Sequence, residues 1–363
     1  MRNTSILFAF ITAFVVAFLL TPFVKKLAFK IGAVDIPKDD RRMHTKPTAL
    51  AGGLAIFAGF IISALVFVHK DMAFWGILAG SVIIIVLGVF DDVYALSAKL
   101  KLGVQIVAAA IPVLCGVQVD MIKVPEFIDE YGYLDLKYFA IPLTIMWIVG
   151  VTNAVNLLDG LDGLACGVSS ISALTLLCIA LLVGEPVVAF ATAALAGACF
   201  GFLPYNFNPA KLFMGDTGAL FLGFMLSTLS VQGLFKGYAV ISLAVPFLIL
   251  GLPLFDTASA MLRRVKNHRP IMSPDRGHLH HRLVDAGLSQ KQAVVLIYAM
   301  CLILCAIAVA LIWTGAVSPI AILIVLIAFA LFMTLVPRIL GGDSGENHGN
   351  GPDKTQKGDA QSK

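Results

Sequence analysis

Between two long apolar runs the chain carries Asn153-Ala-Val-Asn156-Leu-Leu-Asp159-Gly-Leu-Asp162-Gly. Asn153, Asn156, Asp159 and Asp162 recur every third residue, a spacing that predicts one shared polar edge on a helix. A carboxylate at a bilayer centre costs about 2.5–3.5 kcal/mol on insertion scales. The stretch is therefore expected at a membrane boundary or in a wet cleft, where two amides and two carboxylates can bind a cation or a polar ligand. A plain polar loop, or a helix cap on Asp159-Gly160, explains the glycines but not the spacing.

Other reactive residues fall in neighbouring connections. Asp91-Asp92 closes an apolar run, and adjacent carboxylates there can bind a divalent cation or raise one another's pKa so that one acts as a base; a solvated helix end is the bland alternative. Lys99 and Lys101 follow, able to hold phosphate or simply to snorkel. In Phe213-Met-Gly215-Asp216-Thr-Gly218, Asp216 stands at the mouth of a helix, where it is either a ligand or an N-cap. Phe213 can stack on a flat base or pack at the interface. Asp256 is expected to pair structurally with Arg263 or Arg264. Arg276-Gly-His278-Leu-His280-His281 has no partner cysteine and lacks the separated ligands of a zinc site, so its mixture of arginine and histidine suits diphosphate oxygens better. Lys46, before Pro47, is placed to reach an anion or to face lipid headgroups.

The elements that must carry these groups are membrane helices. Of 363 residues, 59 % are hydrophobic and 13 % charged, with a mean hydropathy of +0.92; this is far more apolar than a soluble domain. The sequence predicts an all-α polytopic membrane protein with eleven crossings, ten being the alternative count. Apolar runs cover 4–24, 51–69, 72–90, 102–119, 138–152, 165–183, 187–203, 217–232, 239–256, 292–313 and 318–337. If they alternate across the bilayer, one set of connections carries most of the 26 Lys and Arg residues; the other set holds Arg2, Lys70, Lys123, Lys137 and Lys236. The positive-inside rule then puts the amino terminus outside, and the carboxyl terminus and all the reactive connections in the cytoplasm. The outer connection 120–137 alternates like a small hairpin. Residues 1–340 are expected to form one membrane-embedded domain, and the polar 341–363 a disordered tail. The first run, lacking a cleavage site, reads as a retained helix. The six cysteines lie within apolar runs and read as packed free thiols.

Four motifs in fixed order, Asp91-Asp92, Asn156…Asp159-Gly…Asp162-Gly, Phe213-Met-Gly-Asp216-Thr-Gly and His278-x-His280-His281, resemble the polyprenyl-phosphate N-acetylhexosamine-1-phosphate transferase family across residues 1–340. The interrupted histidine run is similar to the UDP-GlcNAc-using branch, including bacterial members that begin wall teichoic acid; the peptidoglycan branch that transfers phospho-MurNAc-pentapeptide tends to have three consecutive histidines and is the alternative. The resemblance implies transfer of GlcNAc-1-phosphate from UDP-GlcNAc to undecaprenyl phosphate with release of UMP, in the bacterial plasma membrane, with Mg²⁺ or Mn²⁺ and no nucleic-acid partner. It leaves a homodimer open. It further implies that Asp216 and Asn156 hold the metal, Asp162 contacts the uracil edge and Phe213 stacks on it. Asp91 and Asp92 would position or deprotonate the lipid phosphate, and Lys46 and Lys101 would steady phosphates. Arg276, His278, His280 and His281 would meet the diphosphate or sugar. Asp159 would be a nucleophile or an orienting group.

Two other classes compete. A secondary transporter usually shows inverted repeats with ionisable residues at the midplane, whereas here no repeat is visible and the carboxylates gather toward one face. A CDP-alcohol phosphatidyltransferase opens on Asp-Gly-x-x-Ala-Arg; Asp162-Gly-Leu-Ala165 begins similarly, yet Cys166 stands where the arginine should be.

Overall fold

A computed structural model describes residues 2–35, 47–123, 133–234, 244–270, 277–315 and 319–340. Lys46, Arg276 and the tail 341–363 lie outside them. Among the described residues there are thirteen α-helices: α1 Arg2–Ile31, α2 Gly53–Phe67, α3 Met72–Tyr94, α4 Ala98–Leu114, α5 Ala140–Leu158, α6 Leu164–Val183, α7 Pro186–Asn206, α8 Gly215–Leu234, α9 Ala244–Ile249, α10 Gly251–Lys266, α11 Leu279–Asp285, α12 Gln290–Thr314 and α13 Pro319–Leu340. The described residues also hold two antiparallel strand pairs, β1 Val34–Asp35 with β2 Thr48–Ala49 and β3 Met121–Lys123 with β4 Tyr133–Asp135, and a short 3-10 helix at Lys137–Phe139. The second pair is the hairpin expected between the fourth and fifth runs.

Among the described residues, six helices are long and apolar enough to cross a membrane: those at Thr4–Ile31, Met72–Tyr94, Lys137–Leu158, Leu164–Val183, Pro186–Asn206 and Gln290–Thr314. Exposed Leu7, Phe8, Leu19 and Phe23 on α1 and Leu302 and Ile303 on α12 give the bundle an apolar exterior, the surface that lipid rather than water tolerates. The chain is a polytopic helical membrane protein.

The bundle is built around α8, which packs against α2, α3, α5 and α6. From Gly215 to Gly233 every residue of α8 is buried except Asp216. A helix enclosed in this way need not be apolar throughout. Ser227, Thr228 and Ser230 return their hydroxyls to carbonyls three or four residues back, at 2.7–2.9 Å. Small residues set the close approaches, as membrane packing favours. A Cβ on Gly53 of α2 would overlap the Gly218 backbone, and one on Gly88 of α3 would overlap Thr217. The start of α8 is thus gripped by two neighbouring helices.

The ninth apolar run, expected as one helix over 239–256, divides at Leu250 into α9 and α10. Pro253 has no N–H to give the Ile249 carbonyl four residues back, and the Ser172 hydroxyl of α6 takes that carbonyl instead at 3.2 Å. The loop 257–291 also contains a helix not foreseen, α11, which opens at the histidine motif. Not every cysteine is packed: Cys166, Cys199, Cys301 and Cys305 are buried free thiols, while Cys178 is exposed.

Candidate active site

The chemistry-bearing residues meet at one end of the bundle, where α3 and α5 finish and α4 and α8 begin. The predicted polar edge does not form as one helical face. α5 stops at Leu158, Asp159 is its C-cap, and Asp162 lies in the turn before α6. Gly163, at φ +78°, takes the left-handed conformation that this turn needs. Asn153 and Asn156 therefore look across the bundle from α5, while the two aspartates belong to a turn. Tyr298 of α12 donates its hydroxyl to the Gly163 carbonyl and holds that turn from behind.

Asp216 is the focus. Its Oδ1 accepts from Asn156 Nδ2 at 2.7 Å, and its Oδ2 lies 3.4 Å from Lys101 Nζ. The same ammonium stands 2.6 Å from Asp91 Oδ2, whose Oδ1 accepts from the Leu96 amide and closes the α3–α4 turn. Asp92 faces the other way and caps α8. Its Oδ1 accepts from the Asp216 amide at 2.8 Å, and its Oδ2 accepts from the Thr217 amide and hydroxyl at 3.2 and 2.6 Å. An anion on these free N–H groups is the favoured partner of a helix start. Gly215 is required here, because a Cβ would press against both Asp92 oxygens. Two turns into α4, Gln105 and Asn153 exchange amide hydrogen bonds at 2.6 and 3.4 Å. They tie α4 to α5, so that Lys101 and Asn156 reach Asp216 together. Gln105, an amide inside an apolar run, was the available signal for this tie. Nothing in the sequence pointed to Tyr298.

Asp159 carries the clearest electrostatic mark. Burial first, and then the charges of Asp216, Asp92 and Asp162, push its pKa up to about 8. Its folded pKa thus stands above the unfolded value of about 3.9, so the folded chain holds more protons between them, and stability falls as pH rises through that window. With divalent cations chelated, Asp159→Asn is expected to melt higher than the parent at pH 9. The difference should shrink as pH is lowered toward 5, and a difference that stays constant between these pH values would contradict the assignment.

Asp162 accepts from the Asn208 side chain at 3.1 Å and from the Ala210 amide at 2.9 Å, anchoring the loop that leads to Phe213. Phe213 is partly buried, and its backbone pairs with Ala49 and Gly52 ahead of α2. The histidine motif reaches the same end through α11. His280 is buried against Gly160, where a Cβ would overlap its Nε2. Its Nδ1 has no hydrogen-bond partner among the described residues. Burial, then His281, with a smaller contribution from His278, lowers its pKa to about 4 against the raising effect of Asp256. The His278 and His281 rings lie 5.8 and 4.3 Å from that of His280. Asp256 takes His278 Nδ1 and the Leu279 amide, each at 2.8 Å.

Among the described residues no three His, Cys, Asp or Glu side chains form a ready metal cage. The donor chemistry nevertheless fits a hard cation bound in part by substrate. Asp216 and Asn156 already touch, the carboxylates around them crowd negative charge, and Mg²⁺ typically takes one or two carboxylates plus phosphate oxygens.

Residues 74–234, which span most of this cluster, match the glycosyl transferase family 4. Over 345 residues, 94 % of this chain and 93 % of the relative, the chain is 41 % identical to a probable undecaprenyl-phosphate N-acetylglucosaminyl 1-phosphate transferase of Bacillus subtilis. The chain belongs to glycosyl transferase family 4. Other family 4 relatives include a decaprenyl-phosphate N-acetylglucosaminephosphotransferase of Mycolicibacterium smegmatis, 34 % identical over 92 % of this chain and 89 % of that one. A phospho-N-acetylmuramoyl-pentapeptide-transferase of Caldicellulosiruptor bescii is 31 % identical over 85 % of this chain and 96 % of that one. These two GlcNAc-named relatives, at 41 % and 34 % identity, are more similar to this chain than this muramoyl-pentapeptide one at 31 %.

Proposed function

We propose that this family 4 transferase moves GlcNAc-1-phosphate from UDP-GlcNAc to undecaprenyl phosphate, giving undecaprenyl-diphospho-GlcNAc and UMP as the first step of a surface polymer such as wall teichoic acid. The observation that carries the reading is the junction of Asp91, Lys101, Asn156 and Asp216 at the end of four helices, in a chain 41 % identical to a GlcNAc-1-phosphate transferase.

Phosphoryl transfer asks mainly for positioning and charge neutralisation. Bound Mg²⁺, held by Asp216 and Asn156, would supply charge neutralisation on the donor diphosphate. Lys101 adds a fixed positive charge between Asp91 and Asp216. An oxygen of the lipid phosphate attacks the β-phosphorus, and the bond to the bridging oxygen breaks to release UMP. A phosphate monoester loses its last proton near pH 6, so the acceptor arrives largely ionised; Asp91, beside Lys101, takes any remaining proton, while Asp92 caps α8 and holds Asp216 in place. Asp159, at the C-terminal end of α5 beside this junction, is assigned an orienting role, with the lipid phosphate as the attacking group. The histidines of α11 face the diphosphate or sugar.

Basic residues set the orientation we propose. Lys99, Lys211, Arg263, Arg264, Lys266 and Arg269 lie at the site end or in the connections that follow from it, and the positive-inside rule places that end in the cytoplasm of a bacterial cell. A membrane-impermeant thiol reagent added to intact cells is expected to modify a cysteine placed at exposed Tyr138 but not one at exposed Asn267. Modification of Asn267→Cys from outside would reverse the arrangement.

The donor is tested by purified protein with Mg²⁺ and undecaprenyl phosphate. UMP release is expected with UDP-GlcNAc and not with UDP-MurNAc-pentapeptide; release with only the second donor would move the chain to the peptidoglycan reaction.

A further inference from the structure

The residue that holds the histidine helix in place is Asp256 of α10, outside every motif that first marked the site. It is 4 % exposed and His278 5 % exposed. Both oxygens of Asp256 are used: Oδ1 accepts from the Leu279 amide at the first turn of α11, and Oδ2 lies 2.8 Å from His278 Nδ1. One carboxylate on α10 therefore fixes both where α11 begins and which way its first histidine ring is turned.

An ionised carboxylate only accepts hydrogen bonds, so the imidazole nitrogen facing it must carry the proton. With Nδ1 committed to Asp256, Nε2 is the nitrogen of His278 left for a ligand. We propose that Asp256 is a positioning residue of the transfer reaction: it fixes the Nδ1–H tautomer of His278 and directs Nε2 to the donor substrate, while docking α11 so that His280 seats on Gly160 beside Asp159. This rests on the transferase reading above for its kinetic consequence, though not for the tautomer itself. A buried carboxylate that sets a histidine's tautomer is a known device in hydrolytic triads, where the Asp-to-Asn change preserves geometry and still removes most of the rate.

The same change separates tautomer control from mere support. In Asp256→Asn the amide oxygen still accepts from Leu279, but the amide nitrogen now donates to Nδ1 and forces the ring proton onto Nε2. Full-length protein in detergent with ¹⁵N-labelled histidine, the His278 signals assigned by their loss in His278→Gln, reports the tautomer directly. The parent is expected to carry the proton on Nδ1 and Asp256→Asn to carry it on Nε2. The variant should melt within about 2 °C of the parent, less than loss of a buried anchor would give. Its kcat for UDP-GlcNAc should fall about 10- to 100-fold, the usual effect of removing a partner that orients a functional histidine, with KM changed less than about threefold. Asp256→Glu should restore the Nδ1–H signal and part of kcat. A parent protonated on Nε2, full kcat in Asp256→Asn, or a kcat loss matched by a large drop in melting temperature would each overturn the proposal. A parent that releases no UMP from UDP-GlcNAc would instead sink the transferase reading and leave the tautomer result to stand on its own.

Discussion

Asp216→Asn is expected to lose turnover by about 10²–10³-fold, the scale of removing one charged group that stabilises a transition state in a preorganised site, while the protein stays folded and inserted. Asn156 and Lys101 converge on this carboxylate, while Asp92 accepts from the Asp216 backbone amide at the start of α8. The substitution keeps the backbone N–H that Asp92 caps, so the helix start survives and the fold has no reason to fail. What is lost is a full negative charge at the place proposed for Mg²⁺. A thermal-shift titration separates these effects: the parent should be stabilised by Mg²⁺ and the variant should respond weakly or not at all. A variant keeping a third of parental activity at low Mg²⁺ would remove Asp216 from the site.

The second large effect is expected at Lys101. Its ammonium bridges Asp91 at 2.6 Å and Asp216 at 3.4 Å, and its side chain is 25 % exposed. Removing one partner of a partly buried ion pair leaves the other charges uncompensated, which is costlier than never having had the pair. Lys101→Met should therefore lower kcat by about 10²-fold, comparable with loss of an electrostatic stabiliser. Its response to Mg²⁺ should run opposite to that of Asp216→Asn: with the competing cation gone, Mg²⁺ should bind more tightly and stabilise the variant more. Equal weakening of Mg²⁺ binding in both variants would show that Lys101 supports the fold of the site rather than its charge balance.

Much of this was legible in the residues because lipid is a demanding solvent. Apolar runs of crossing length named the positions of the helices, and a carboxylate beside such a run marked a site. What stayed hidden came from the packing of one helix on another. The threefold spacing from Asn153 to Asp162 could not show that α5 ends at Leu158, since the turn is held by Tyr298 from a distant helix. Asp92 reads as a reactive carboxylate in sequence, yet its oxygens close the N-terminus of α8, a helix more than a hundred residues away. The break at Leu250 was foreshadowed by Gly251 and Pro253, but Ser172, which makes it tolerable, lies on another helix. Asp256 was expected beside Arg263 or Arg264; its position at the head of α11 followed from a short helix that no apolar periodicity announced.

Whether this chain transfers a phosphosugar, rather than a sugar or a solute, is tested most directly by a double-label experiment. Purified protein is incubated with Mg²⁺, undecaprenyl phosphate and UDP-GlcNAc carrying one label in the sugar and another in the β-phosphate. The account predicts that both labels are recovered together in the lipid at a one-to-one ratio, with uridine released as UMP. Sugar label in the lipid without the β-phosphate label, and uridine released as UDP, would contradict it.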